Sequence, residues 1–87
     1  MKNLAKYVEQ KNAWVAIFGK PGLDLNNAAD RRRIAQSIDS DLSPEHLTCD
    51  GELSRSQVNA RYRALTAAAR ELIALDPSTA QYMYEFN

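Results

Sequence analysis

The sequence predicts an all-α fold: a single small domain, residues 1–87, of four to five short helices packed around a longer central helix at about residues 54–75. Three observations predict it. Apolar residues in the last third recur at alternating spacings of four and three, and Asn, Ser or Asp stands at helix-start positions before each later helical stretch. Helix breakers are few, with three Gly and three Pro among 87 residues. The 45% apolar and 25% charged composition is that of a packed chain rather than a disordered tail. With one Cys and one His, neither a disulfide nor a structural zinc site can staple it.

In the N-terminal segment Leu4, Val8, Val15 and Phe18 fit one helical face. The run from Ala13 to Phe18 also reads as a buried strand, but no second run of similar strength exists to pair with it, so helix is preferred. Trp14 and Phe18 are expected in the core, because so small a chain needs its large side chains inside. Gly19-Lys20-Pro21-Gly22 reads as a turn and lacks the spacing of a phosphate-binding loop.

Asn27 can cap a second helix of about three turns, with Asp30 in its first turn and Ile34, Ala35, Ile38 and Leu42 as its apolar stripe. Ser43-Pro44-Glu45-His46 is a further start signal, and Gly51 is placed to end that short helix. The long helix opens with Ser54 and Gln57 as a capping box and Leu53 and Val58 as a hydrophobic staple. Its inward row is Val58, Tyr62, Leu65, Ala69 and Leu72, and its many alanines keep it slim. Asp76-Pro77 stops it. A last short helix, capped by Asp76, would place Ala80, Met83 and Tyr84 on one face and end near Phe86.

Catalytic chemistry is poorly supplied. His46 and Cys49 lie three apart without a third orienting group, so a surface or capping histidine and a partly buried thiol are expected, with no catalytic residue, metal or cofactor. No small-molecule substrate is evident. No apolar run approaches the roughly 18 residues of a membrane span, and Met1-Lys2-Asn3-Leu4 has no signal-peptide pattern, which makes a cytoplasmic location the expectation.

Charge is segregated although the total is zero: residues 1–33 carry +4, residues 39–52 carry −5 and residues 53–87 carry +1. Asp39, Asp41 and Glu45 belong to the acidic stretch, and Tyr82, Met83, Tyr84 and Phe86 form an aromatic-rich tail. These seven residues are the candidates for binding a partner, and fold-back of the tail onto the helices is expected over full exposure. The leading functional reading is a non-enzymatic protein–protein interaction module of regulatory or adaptor type, acting on a protein partner or on a second copy. The alternative is a DNA-associated regulator contacting phosphates through Arg31, Arg32, Arg33, Arg55, Arg63 and Arg70; Arg55, Asn59, Arg63, Thr66 and Arg70 share one flank of the long helix.

Two resemblances overlap here. Arg32-Arg33, Gln36 to Ser40, Glu52-Leu53-Ser54, Tyr62, Glu71-Leu72 and the aromatic end after Pro77 resemble the Hha/YmoA family of small helical bacterial proteins, which implies contact with a DNA-binding partner protein. Thr66 stands where that family has an acidic residue. Lys2 to Lys6 and the stretch from Ile34-Ala35 through Pro44-Glu45-His46-Leu47 are similar to the theta subunit of bacterial DNA polymerase III. Two unrelated families on shared residues leave the chain unassigned to either.

Overall fold

Propensity and capping carry straight into the backbone. The computed structural model describes residues 2–86, and over them the chain forms α1 (Lys2–Ile17), α2 (Ala28–Leu42), α3 (Pro44–Leu47), α4 (Arg55–Leu75) and a closing 3-10 helix (Pro77–Tyr82), with no strand among the described residues. The ambiguous Ala13 to Ile17 run is helical. α2 begins where Asn27 Oδ1 accepts from the Asp30 amide at 3.1 Å, and its 15 residues make about four turns rather than three. α4 begins at a complete capping box: the Gln57 amide donates to Ser54 Oγ at 3.3 Å, and the Ser54 amide donates to Gln57 Oε1 at 2.8 Å.

α1 has no acidic residue in its own first turn, and α4 supplies one. Glu71 accepts from the Leu4 amide at 3.0 Å and from Asn3 Nδ2 at 2.8 Å, so a remote carboxylate satisfies the free amides at the start of α1. That bond sets α1 antiparallel to α4, its start against the other's end. α2 and the closing 3-10 helix also pack on α4, and α3 bridges α2 and α4. Leu4, Val8, Ile34, Ala35, Ile38, Leu42, Leu65, Ala68, Ala69, Leu72 and Met83 form the core. Ala68 and Ala69 are wholly buried, and their small side chains let neighbouring helices approach α4 closely.

Four expectations need correction. Trp14 and Phe18 are exposed rather than buried. The molecule measures 35 × 31 × 21 Å, and its shortest dimension is about two helix diameters. α1 therefore packs chiefly on α4, and its other side meets solvent. The inward row of α4 starts at Leu65: Val58 is half-buried and Tyr62 exposed, while the start of α2 and the closing helix meet the other end of α4 at Asp76. Thr66 is buried and not on a wet arginine flank; its hydroxyl donates back to the Tyr62 and Arg63 carbonyls. The last helix is 3-10, so its tighter winding buries Thr79 and Met83 and leaves Tyr84 outside.

The tail folds back as expected. Met83 is buried, Tyr82 and Phe86 are half-buried against the core, and the Glu85 amide donates to Asp39 Oδ1 at 2.6 Å. Asp76 joins the ends of two helices. It caps the 3-10 helix through Ser78 and accepts from Arg31 Nε at 2.9 Å, while Arg31 also donates to the Leu25 carbonyl.

Candidate protein interface

A surface built on the second half of α1 is the feature most in need of a physical reason. Trp14, Ile17 and Phe18 stand at i, i+3 and i+4, within an arc of about 100°. They are 59%, 73% and 61% exposed. Trp14 and Phe18 meet edge to face with centroids 5.4 Å apart, so they hold each other in place instead of entering the core. The chain leaves this end of α1 through Gly19, whose φ of +69° suits a residue without Cβ. It is then tied back, since Asn12 accepts from the Leu23 amide at 2.7 Å and donates to the Leu23 carbonyl at 2.9 Å. The connection thus returns to Asn12 and passes by the aromatic pair without covering it.

The same face of α1 continues towards its N-terminus as one wall of a groove of about 440 Å³, with Arg61, Ala64 and Leu65 of α4 as the other wall. Asn3, Lys6, Gln10 and Trp14 line it in register, and Tyr7, Lys11 and Asp41 complete the lining. The Tyr7 hydroxyl donates to Asp41 Oδ2 at 2.7 Å and lies 2.7 Å from Ser37 Oγ. Lys11 Nζ is 3.4 Å from the same Asp41 oxygen and 5.5 Å from the Tyr7 ring centroid. Burial, reinforced by the Asp41 carboxylate, pushes the Tyr7 phenol well above its ordinary value of 10.0, so it stays a protonated donor. Lys6, Lys11 and Arg61 bring three positive charges to the groove against the one carboxylate of Asp41. The Arg61 Nε is buried and has no hydrogen-bond partner among the described residues.

The seven residues expected to bind a partner are not equally available to one. Asp39 holds the tail, Asp41 serves Tyr7 and Lys11, and Met83 is wholly buried and offers nothing to a partner. Glu45 and Tyr84 are exposed, whereas Tyr82 and Phe86 are half-buried beneath Arg32 and Arg70 at 5.9 and 5.7 Å. The arginines are dispersed. Arg31 is bound to Asp76 and Arg33 to Asp30 at 2.9 Å each, at the α4 C-terminal end, while Arg55 lies about 30 Å away at the other end of α4.

His46 is exposed, and its Nδ1 lies 2.8 Å from Ser43 Oγ and 3.0 Å from the Ser40 carbonyl, which makes it a tie at the end of α2. Cys49 is exposed rather than partly buried, in a turn where it, Asp50 and Gly51 all have positive φ. No cluster of three metal-ligating side chains occurs among the described residues. Among the described residues no helix is long and apolar enough to cross a membrane. No family model, curated protein or solved structure matches the chain.

Sequence reasoning missed the groove. It placed Trp14 and Phe18 in the core and assigned no role to Lys6, Tyr7, Lys11 or Arg61. The available signal was the spacing of Asn3, Lys6, Gln10, Trp14 and Ile17, a second stripe on α1 beside the Leu4, Val8 and Val15 stripe.

Proposed function

We propose that the chain is a protein–protein interaction module that docks its partner on the Trp14, Ile17 and Phe18 face of α1. One observation carries this reading: the chain's only tryptophan and one of its two phenylalanines are spent on the surface, side by side, in a molecule too small to spare them from its core. Such aromatic anchors, flanked by a groove with charged walls, are the composition of an interface centre. The arrangement supports binding more than chemistry, since the one hydroxyl beside a carboxylate in the groove, Tyr7 against Asp41, is half-buried and kept protonated by that burial. The DNA-contacting alternative draws less support, because Arg31 and Arg33 are occupied by carboxylates of the same chain and the rest are spread over both ends of α4.

The test is purification at native abundance through an N-terminal tag, comparing the wild type with a Trp14→Ser/Phe18→Ser variant. A partner retained in stoichiometric amount by the wild type and lost from the folded variant supports the reading. A wild-type chain that runs as a lone monomer under gentle salt refutes it.

A further inference from the structure

Resting on that reading, we propose that the α1–α4 groove takes an acidic amphipathic segment of a different protein, which sets an apolar side chain on Trp14 and Phe18 and a carboxylate against Lys6 and Arg61. Charge complementarity selects this occupant. Of the three cations lining the groove, Lys11 is held by Asp41 at 3.4 Å, whereas Lys6 and Arg61 have no carboxylate partner among the described residues. The buried Arg61 Nε marks a guanidinium whose donors are not fully used within the chain, and a buried donor without an acceptor is costly. An incoming carboxylate is the group best matched to it, since it can accept two parallel N–H bonds from one guanidinium.

Two features argue against a second copy. A two-fold pairing on this face would set Lys6 and Arg61 against their own equivalents, which like-charge repulsion disfavours. Head-to-tail docking through the acidic stretch, by its exposed Glu45, Asp50 and Glu52, would bring no large exposed apolar residue from positions 43 to 54 to meet the aromatic pair. A nucleic-acid strand is also a poor match. Two unpaired cations beside the Asp41 carboxylate are few for a polyanion.

The experiment is a display selection of random 16-residue peptides on the full chain, with counter-selection on the Trp14→Ser/Phe18→Ser variant. The expected winners combine apolar residues at helical spacing with neighbouring Asp or Glu. A synthetic winner should shift the emission of Trp14, the single tryptophan. Its affinity should fall at least tenfold when its acids become Lys, fall likewise with Lys6→Glu, and recover when both changes are combined. Lys6 is exposed, so that variant keeps its fold, which far-UV circular dichroism verifies. Winners that need Trp14 but carry no acidic bias overturn the acidic inference and leave the docking face standing. The absence of any Trp14-dependent winner overturns both. Tighter binding of a 16-nucleotide oligothymidylate than of the best peptide overturns the inference in favour of single-stranded nucleic acid. A wild-type dimer dispersed by the Trp14→Ser/Phe18→Ser change overturns it in favour of a second copy.

Discussion

Leu72 and Leu75 lie three residues apart on α4 and share a side chain, a helix and a neighbourhood in sequence, so truncating each in turn isolates the effect of facing. Leu72 is fully buried in the core, while Leu75 is 44% exposed. Leu→Ala removes the equivalent of about three methylene groups, worth roughly 2.4 kcal/mol of transfer free energy when the site is fully buried. At Leu72 the other core side chains cannot all collapse inward, and a cavity term raises the cost to about 3–4 kcal/mol. Only about half of the Leu75 side chain leaves water on folding, and the space it vacates opens to solvent. Its truncation should therefore cost about 1 kcal/mol. Guanidinium titrations followed by far-UV circular dichroism should show this as a large fall in midpoint for Leu72→Ala and a small one for Leu75→Ala at unchanged slope. In melting temperature the two correspond to losses of roughly 15–30 °C and 4–8 °C. Equal losses would refute the facing of α4, and with it the assignment of the opposite surface to solvent.

Three further outcomes are expected. Leu65→Ala should cost about 2–5 kcal/mol while Arg63→Ala, on an exposed side of the same helix, should cost under about 0.5 kcal/mol, both measurable by the same titration. In acid, Glu71 and Asp76 should lead the loss of stability. For Glu71, burial acts to raise the carboxyl pKa, but the donors of Leu4 and Asn3 outweigh it and hold the carboxyl below its ordinary 4.5; for Asp76, Ser78 and then Arg31 hold it below 3.8. A depressed folded pKa gives stability that is complete above the ordinary value and disappears as pH falls through the folded one. Glu71→Gln and Asp76→Asn should each flatten the stability curve below about pH 5, and an unchanged acid limb would contradict the two ties. In alkali the sign reverses for Tyr7. Its folded pKa is raised, so its contribution is complete below its ordinary 10.0 and declines as pH rises beyond it. Tyr7→Phe should cost about 1–2 kcal/mol at neutral pH through the lost Ser37 and Asp41 bonds and should make stability less sensitive to pH above about 10.

Local signals determined most of the secondary structure. Ser54 with Gln57, Asn27 with Asp30 and Asp76 before Pro77 each act within a few residues, so their hydrogen bonds could be read directly from the sequence, and all three are made. The stripes Ile34, Ala35, Ile38, Leu42 and Leu65, Ala69, Leu72 were legible for the same reason, because helical periodicity is a local property. Fold-back of the tail was expected, but Met83, named among the partner-binding candidates, is spent in the core.

Tertiary structure alone decided which of two apolar stripes on α1 would be covered. Leu4, Val8 and Val15 and the adjoining Trp14, Ile17 and Phe18 are equally apolar as text, and transfer free energy depends on area removed from water rather than on position along a helix. What separates them is that α1 packs chiefly on α4, with α2 bonded to it at Tyr7 and Lys11, so the Trp14, Ile17 and Phe18 face stays exposed. The remote cap of α1 by Glu71, the Tyr7–Asp41–Lys11 cluster and the Arg61 groove wall join residues 30 to 68 positions apart or bring three helices to one place. Long-range pairings of this kind leave no periodic trace, because they arise from where whole helices come to rest. The candidate site is therefore a consequence of packing: the helix is written in the residues of α1, and its neighbours determine that its aromatic face stays open.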